Sequence, residues 1–281
     1  MKNMILSALI LCTSTAWGQS PKAHYDVYAI KYASVGHPTP TSDWADQAPK
    51  QDSVAIDFMV WLIKGQGRSI LVDAGFLNDI ENAKEFNVVN YNRPDSAVMT
   101  LGVKPGEITD IIVTHPHWDH LDGLELFPKA RVWMQKADYD YFVGGAWQKE
   151  GNHGGFVKRN VLMLAGVNVD GRLTLVEGDD KEIIPGIRVY TGSRHTFNSQ
   201  YVLVNTGTER IVLASDNIWV YYSLEHMKSA PSYGTFDPAG YVKAMARMKS
   251  LASKEKFIIP GHDARVFKTF PAVGDRAVKI E

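Results

Sequence analysis

Short apolar segments separated by polar turns recur along most of the chain, a pattern typical of β-strands. These segments lie at residues 25–30, 54–63, 68–72, 111–113, 131–134, 173–176, 187–191, 201–205, 211–214 and 257–259. The tetrapeptide Lys64-Gly65-Gln66-Gly67 separates two of them and predicts a hairpin turn. The segment at 257–259 is predicted to be the last strand of the chain.

Helices are predicted between some of these strands. Residues 96–101 and 137–142 form short ones, and residues 238–250 form a longer one. The longer helix begins with Asp237 as its N-cap and a proline at its first position. Its apolar face consists of Tyr241, Met245 and Met248. Strands and helices in this order predict an α/β fold.

Several predicted strands end in a histidine or an aspartate. The strand at 111–113 runs into Thr114 and then into His115-Pro116-His117-Trp118-Asp119-His120. Imidazole nitrogens suit zinc and similar divalent metals, and carboxylate oxygens suit harder ions. The stretch therefore predicts a metal site, and the alternative is that these histidines bond carbonyl groups of a loop. Further strand ends place Asp73, His195, Asp216 and His262.

Two other features bear on this site. Asp73 is predicted to orient a ligand histidine through a hydrogen bond, without touching the metal itself. The glycine-rich block at 144–160 predicts a long mobile loop that either covers the site or is a surface excursion without a role. His37 is predicted to be an ordinary surface histidine.

Composition and charge narrow the choice of substrate. The 281 residues are 45% hydrophobic and 22% charged, which is ordinary for a soluble globular protein. A net charge of −1 and a pI near 6.8 give no field that would attract nucleic acid or an anionic membrane. We therefore expect one domain, at residues 19–281, and a small, weakly charged substrate. The oligomeric state is left open.

The first eighteen residues resemble a secretory signal peptide. Lys2 supplies the positive start, residues 5–11 the apolar region, and Ala16-Trp17-Gly18 a small-x-small cleavage site. The apolar run is too short to span a bilayer. We expect cleavage after Gly18 and export to a periplasm or the medium, with lipid attachment at Cys12 as the alternative. Cleavage would remove the single cysteine, so metal ligands must come from histidine and aspartate.

The chain resembles the metallo-β-lactamase superfamily. The resemblance extends from the Leu-Val-Asp-Ala-Gly segment at 71–75, through the HxHxDH motif at 115–120, to the terminal Pro-Gly-His at 260–262. It covers nearly all of the chain that follows residue 18, and motifs of this completeness are highly specific. It implies a four-layer αββα sandwich with metals at one edge between the two sheets.

The resemblance also implies two divalent metal ions. The first would be held by His115, His117 and His195. The second would be held by Asp119, His120 and His262. Asp216 would bridge both. A hydroxide between the ions would be the nucleophile, and Asp119 would both bind metal and accept a proton. Zinc is the expected metal, with manganese, cobalt and iron as alternatives.

Within the superfamily, the ligand set favours hydrolysis. Members that perform redox chemistry at paired iron have a glutamate where His117 stands. Asp216 argues against a β-lactamase and matches lactonases and glyoxalase II-like thioesterases. The segments at 107–113 and 124–128 most resemble the N-acyl homoserine lactonase branch. We therefore expect a lactonase acting on a small lactone or related acyl substrate.

The chain departs from that branch in two segments. Ser193 and Arg194 precede His195 where glycine is common, and Trp219 stands where lactonases often have a tyrosine that assists the substrate carbonyl. Tyr221 or Tyr222 could take that catalytic role, with packing residues as the alternative, and Tyr222 is our candidate. The expected substrate contacts are Trp147, Phe197, Trp219 and Tyr221.

Four alternatives stay open at this point. They are a periplasmic β-lactamase, a thioesterase of the glyoxalase II type, a persulfide dioxygenase with one iron on His115, His195 and Asp216, and a metal-dependent binding protein without catalytic activity.

Overall fold

Two β-sheets form the centre of the computed structural model, which describes residues 24–281. The predicted signal peptide and Cys12 lie outside the described residues, and the single domain at 19–281 stays a prediction. Within the described part of the chain, no helix combines the length and the apolar composition needed to cross a bilayer.

The strands are β1 (Asp26–Val35), β2 (Thr39–Pro40), β3 (Ser53–Val54), β4 (Asp57–Gly65), β5 (Arg68–Val72), β6 (Val88–Val89), β7 (Asp110–Ile112), β8 (Arg131–Gln135), β9 (Leu173–Val176), β10 (Lys181–Ile184), β11 (Ile187–Thr191), β12 (Gln200–Asn205), β13 (Arg210–Ser215), β14 (Ile258–Pro260), β15 (Ala272–Val273) and β16 (Ala277–Lys279). The α-helices are α1 (Glu81–Glu85), α2 (Pro94–Met99), α3 (Trp118–Leu121), α4 (Lys136–Val143), α5 (Lys158–Val169), α6 (Tyr221–His226), α7 (Pro238–Leu251) and α8 (Val266–Thr269).

The larger sheet has nine strands in the order β15-β16-β1-β4-β5-β7-β8-β9, with β6 paired to β1. Its strands β5, β7, β8 and β9 run parallel to one another. The second sheet has five strands in the order β10-β11-β12-β13-β14, of which β13 and β14 are parallel. Parallel neighbours end at the same edge, so each sheet presents a row of strand ends to one side.

Alternating side chains of β4 show how the layers stack. Val60 and Leu62 pack into a core with helices α2 to α5, whereas Trp61 and Ile63 pack into a second core shared with the other sheet. The apolar face of α7 packs against that second sheet. The order helix, sheet, sheet, helix confirms the predicted four-layer αββα sandwich.

Local sequence signals explain the elements that were predicted well. Gln66 and Gly67 have φ of 51° and 70°, the left-handed conformation of a tight hairpin turn between β4 and β5. Asp237 caps α7 as predicted, because its side chain accepts a hydrogen bond from the Gly240 N–H at 2.9 Å.

Other elements were missed, and the prediction that the strand at 257–259 is the last one is wrong. β15 and β16 follow it and pair with each other, and β16 also pairs with β1. Helix α5 was missed because its sequence lacks a clear polar face: Leu162 and Val169 are exposed, and no side chain caps its start. β10 and α6 were missed as well.

Candidate metal centre

Five of the predicted ligands lie on turns that follow β7, β11, β13 and β14, and Asp119 and His120 lie on the one-turn helix α3 that comes after the β7 turn. A backbone hydrogen bond of 2.9 Å from the Gln200 N–H, at the start of β12, to the Thr114 carbonyl joins the β7 turn to the second sheet. The Gln200 side-chain amide also donates to the Val113 carbonyl at 2.8 Å. The metal-binding motif is thereby fixed to the second sheet as well as to its own strand.

The structure brings the seven predicted ligands into two adjacent groups. The first group contains His115, His117, His195 and Asp216, and each residue offers an atom within 4.8 Å of the others. The Nδ1 atom of His117 lies 3.0 Å from His195 Nε2. The second group, with the same spacing limit, contains Asp119, His120 and His262.

Asp216 lies between the two groups and turns one oxygen toward each. Its Oδ2 is 3.4 Å from His195 Nε2 and 3.8 Å from His115 Nε2. Its Oδ1 is 3.0 Å from His262 Nε2 and 3.3 Å from His120 Nε2. This is the orientation expected of a carboxylate that bridges two ions.

Buried polar atoms without hydrogen-bond partners show that the site fits cations. His115 Nε2, His120 Nε2 and Asp216 Oδ1 are all buried and unpaired within the described residues. Buried polar atoms are nearly always satisfied, so three at one point indicate a ligand that binds nitrogen and oxygen donors. A set of imidazoles and carboxylates suits zinc and other divalent ions of similar hardness. The assignment of individual ligands to two ions stays a prediction.

Hydrogen bonds on the far side of three imidazoles fix their orientation. The Nδ1 atom of His195 lies 2.7 Å from the Gly234 carbonyl, that of His120 lies 2.8 Å from Asp73 Oδ2, and that of His262 lies 3.3 Å from the Asp57 carbonyl. An Nδ1 that donates to an oxygen carries the proton, so each neutral ring presents the lone pair of Nε2 to the centre.

Asp73 forms a hydrogen bond with His120, and its role of orienting a ligand histidine stays a prediction. The carboxylate is fully buried at the end of β5, in the left-handed conformation with φ of 63°. It also accepts hydrogen bonds from the backbone N–H of Thr114 at 2.8 Å and from the hydroxyl of Ser215 at 2.9 Å. One carboxylate therefore joins the first ligand turn to the strand that delivers Asp216.

Burial and neighbouring charges shift the histidine pKa values in opposite directions in the two groups. Burial lowers the pKa of His115 and His195, and lowers that of His117 to about 3. Burial also opposes the charged form of His120 and His262, but nearby carboxylates outweigh it and raise the pKa of both.

Two glycines leave room for the side chains around the centre. A Cβ atom at Gly155 would lie 2.8 Å from the His117 ring, and one at Gly234 would lie 2.2 Å from Trp219 Cη2. Neither contact is possible without displacing an aromatic ring that packs against the site. Gly155 also accepts a backbone hydrogen bond from the Trp118 N–H at 2.9 Å.

A cavity of about 480 Å³ opens above the ligands, a volume typical of small-molecule sites. Five of the candidate ligands line its floor. Its walls combine aromatic and apolar side chains with nearly as many polar ones. The wall residues are Val35, His37, Thr39, Asp43, Trp44, Phe58, Asn82, Glu85, Phe86, Asn87, Trp118, Gly154, Gly155, Trp219 and Tyr233.

Of the predicted substrate residues, the structure places only Trp219 in this wall. Trp147 instead stacks on His153, with its indole N–H bonded to the Phe142 carbonyl at 2.6 Å. Phe197 is 39% exposed and stacks on Tyr141 at 4.6 Å, outside the cavity lining.

The placement of Tyr221 and Tyr222 at the reacting centre is wrong. Helix α6 begins at Tyr221 and carries both rings away from the cavity. Tyr222 packs on His226 at 4.1 Å and lines a separate groove beside Asp263. Tyr221 lies under the Arg265 guanidinium, 4.9 Å from its ring centroid. The catalytic role that we expected for Tyr222 therefore has no geometric support.

Several wall residues were not predicted at all. Trp44, Phe58 and Phe86 supply aromatic surface, and Tyr233 is 73% exposed at the rim. His37 is exposed, as predicted, but it too lines the cavity. These residues come from segments far from the ligand motifs, so the spacing of the motifs gives no signal for them.

The glycine-rich block does contact the site. It contains a short 3-10 helix at Gly145–Trp147, and its last residues belong to α5. Between them, Gly154 and Gly155 line the cavity, and Phe156 packs 5.3 Å from the His117 ring. The block therefore forms part of the cavity wall. This agrees with the prediction that it covers the site, and not with the alternative that it is a surface excursion without a role.

Comparison with known proteins agrees with this geometry. The sequence pattern of the Metallo-beta-lactamase superfamily matches residues 59–262. An N-acyl homoserine lactonase from Bacillus sp is 26% identical over 234 residues, which cover 77% of this chain and 87% of that protein. The N-acyl homoserine lactonase AiiA of Bacillus thuringiensis subsp. kurstaki is 25% identical over 223 residues, which cover 74% and 82%.

Solved structures share the fold at lower identity. An N-acyl homoserine lactone hydrolase with the product N-hexanoyl-L-homoserine at its catalytic metal center has a TM-score of 0.69 and 21% identity, covering 91% of this chain and 99% of that one. The dizinc quorum-quenching lactonase AidC has a TM-score of 0.61 and 13% identity, covering 93% and 98%. Motifs, fold and family match agree: the chain belongs to the metallo-β-lactamase superfamily of hydrolases.

Proposed function

We propose that this protein is a two-metal lactonase that opens the ring of N-acyl homoserine lactones or closely similar lactones. The observation that carries the proposal is the position of Asp216, whose two carboxylate oxygens face two separate groups of ligands. The sequence relatives described above, which are lactonases, support the choice of substrate class.

In this proposal, the first group together with Asp216 Oδ2 would hold one ion. The second group together with Asp216 Oδ1 would hold the other. When bound, two divalent ions supply a water of lowered pKa and polarise the substrate carbonyl. Zinc is the proposed metal, because three of the four donors in the first group are imidazoles.

The protein residues position the substrate and move the proton. Asp119 lines the cavity, and its Oδ2 lies 3.2 Å from His120 Nε2 and 3.5 Å from His262 Nε2. Water adds its oxygen to the lactone carbonyl carbon, and the ring C–O bond breaks. Asp119 takes the proton of the attacking water and returns it to the leaving ring oxygen. The product is an open hydroxy acid.

The walls of the cavity favour a neutral acyl substrate. Trp44, Phe58 and Phe86 offer apolar surface to an acyl chain. Among the wall residues in the described part of the chain there is no lysine or arginine, and the charged side chains are those of Asp43 and Glu85. A β-lactam antibiotic carries a carboxylate, which this wall would repel. An N-acyl homoserine lactone carries no charge, because its nitrogen is part of an amide.

A substrate panel tests the proposal. Protein reconstituted with zinc, manganese, cobalt or iron is assayed with acyl homoserine lactones, β-lactams and thioesters, and acid release is followed at constant pH. We expect lactones to be hydrolysed with the highest kcat/KM. If a β-lactam or a thioester is hydrolysed while no lactone is, the proposal is wrong.

We also propose that the protein is exported and cleaved after Gly18, on the evidence of its N-terminal sequence. Sequencing of the mature N-terminus from the periplasmic and medium fractions tests this. We expect Gln19 to be the first residue. A cytoplasmic protein that retains Met1, or a lipid-modified Cys12, would contradict it.

A further inference from the structure

We infer that Trp219 is a positioning residue of the metal centre, whose indole N–H holds Asp216 in the orientation that serves both ligand groups. The inference rests on the two-metal function proposed above. It gives Trp219 a role different from that of the tyrosine that lactonases often have at this position, because the polar atom of Trp219 faces a metal ligand instead of the substrate.

The direct contact is a short hydrogen bond between buried groups. Trp219 Nε1 donates to Asp216 Oδ2 at 2.7 Å, and the two residues are 7% and 4% exposed. Hydrogen bonds to an ionised acceptor are stronger than neutral ones, and burial strengthens them further. Because a carboxylate is planar, fixing Oδ2 also fixes the direction of Oδ1 toward His120 and His262.

Packing prevents the indole from turning away. Its ring meets the His195 ring edge-on at 5.3 Å and the Trp44 ring at 5.5 Å. Gly234 lies against the far edge of the indole, where a side chain would collide. The same glycine accepts the Nδ1 hydrogen bond of His195, so one residue accommodates the indole and orients a ligand.

The backbone of Trp219 is also tied to the second group. Its carbonyl accepts a hydrogen bond from the His262 N–H at 2.9 Å, and its own N–H donates to the Tyr241 hydroxyl at 3.2 Å. Trp219 therefore contacts Asp216 and His195 through its side chain and His262 through its main chain. Among these contacts, the indole N–H is the one that a side-chain replacement can remove by itself.

The sharpest test replaces the N–H and little else. Benzothienylalanine has a sulfur in place of the indole N–H and nearly the same shape, and it is incorporated at position 219. The matched control is the same replacement at Trp44, whose ring lines the same cavity and packs 5.7 Å from the His262 ring, but whose N–H donates to Thr39 Oγ1 at 2.7 Å and not to a ligand. Trp219→Phe and Trp133→Phe provide a second pair made by ordinary mutagenesis, because the Trp133 N–H donates to Asp110 Oδ1 at 2.9 Å and its ring does not line the cavity.

Two measurements distinguish positioning from packing. Zinc affinity is measured by competition with a chelator, and the cobalt form is examined by visible absorption spectroscopy. We expect the position 219 replacement to weaken binding of at least one ion about 10- to 100-fold and to change the cobalt spectrum. We expect the Trp44 control to bind both ions within about twofold of wild type, with an unchanged spectrum.

The possible outcomes separate the inference from the proposed function. If wild type binds two ions and the position 219 replacements bind them equally well with the same spectrum, the inference is wrong while the proposed function stands. If the Trp44 control changes as much as position 219, the role is packing and the inference is also wrong. If wild type binds fewer than two ions, the proposed two-metal function is wrong, and the inference that rests on it is wrong as well. Thermal melting of the metal-free proteins verifies that each variant is folded.

Discussion

The two ligand groups are adjacent but electrostatically unequal. In the first, three imidazoles meet one carboxylate oxygen, and the group behind His195 is a neutral backbone carbonyl. In the second, Asp119 joins two imidazoles, and a further carboxylate, Asp73, lies behind His120. The histidine pKa values follow this difference, being lowered in the first group and raised in the second.

The two ligand groups therefore offer two ions different electrostatic surroundings within one fold. A nitrogen-rich set favours zinc, whereas added carboxylates make a position more tolerant of harder ions such as manganese. We therefore expect the two positions to differ in affinity and metal preference. The following predictions test that difference, beginning with the residue that the two groups share.

Asp216→Asn should have the largest effect, because it removes the negative charge shared by both groups while keeping the shape of the side chain. We expect metal content to fall at both positions and kcat/KM to drop by roughly 10³-fold, equivalent to about 4 kcal/mol. Metal analysis and lactone turnover measure this. Asp43→Asn, a neutralised carboxylate in the same cavity, is the control, and an equal loss there would contradict the prediction.

His262→Ala should separate the groups. It removes a ligand from the second group alone, so we expect metal content near one ion per chain and a loss of turnover of about 10²-fold. His195→Ala is the counterpart in the first group. Titration with zinc and manganese should show different remaining preferences in the two variants. Identical residual sites would mean that the groups are equivalent.

Asp73→Asn should weaken the second group without removing a ligand. The amide can no longer accept every hydrogen bond made to the carboxylate, and the His120 ring loses its charged partner. We expect the affinity of one ion to fall about 10- to 100-fold. Asp110→Asn is the control, because Asp110 is a buried carboxylate at the opposite end of β7, bonded to Arg68 and Trp133. Retained affinity in Asp73→Asn would refute the orienting role.

Asp138 supports the first group in a comparable but less direct way. Its buried carboxylate accepts hydrogen bonds from the Thr196 hydroxyl at 2.6 Å and the Asn198 N–H at 3.0 Å, next to His195. Burial raises the pKa of Asp138 to about 6, although these hydrogen bonds oppose the shift. The folded protein thus binds this proton more tightly than the unfolded chain, and the resulting stability is lost as pH rises through 6.

Relative to Asp138→Asn, wild type should therefore lose about 2 kcal/mol of unfolding free energy between pH 4 and pH 7. Denaturant unfolding of both metal-free proteins across this range measures the difference, and comparing the two proteins cancels the titration of the ligand histidines. A pH-independent difference would show that Asp138 has an ordinary pKa.

The smallest effect is expected for Tyr222→Phe. The ring lies on α6 beside His226, outside the cavity, so kcat/KM for lactones should stay within about twofold of wild type. A loss of tenfold or more would restore the catalytic role that the position of Tyr222 argues against.

Local patterns explain what the sequence could predict. The sequence signals for β7 with its following His115, and for the N-cap at Asp237, lie within a few neighbouring residues. Asp73 could be predicted because it also follows a strand. The direction of Tyr222 depends on where α6 begins, and no cap residue indicates that start: the N-cap is Val220, without a side-chain hydrogen bond. The walls were missed because segments such as 35–44 and 82–87 meet the ligands only in the folded chain.

The separation between ligand turns and cavity walls has a practical consequence for changing the specificity of this protein. Every candidate ligand lies on a turn that follows a strand or, for Asp119 and His120, on the short helix α3 behind such a turn. Much of the wall lies elsewhere, on helix α1 with the residues that follow it and on the loop at 154–155. Randomising Phe86, Asn87 and Tyr233 in a combinatorial library leaves all seven ligands and their hydrogen-bond partners unchanged. Selection from such a library can alter which acyl chains are accepted without rebuilding the reacting centre.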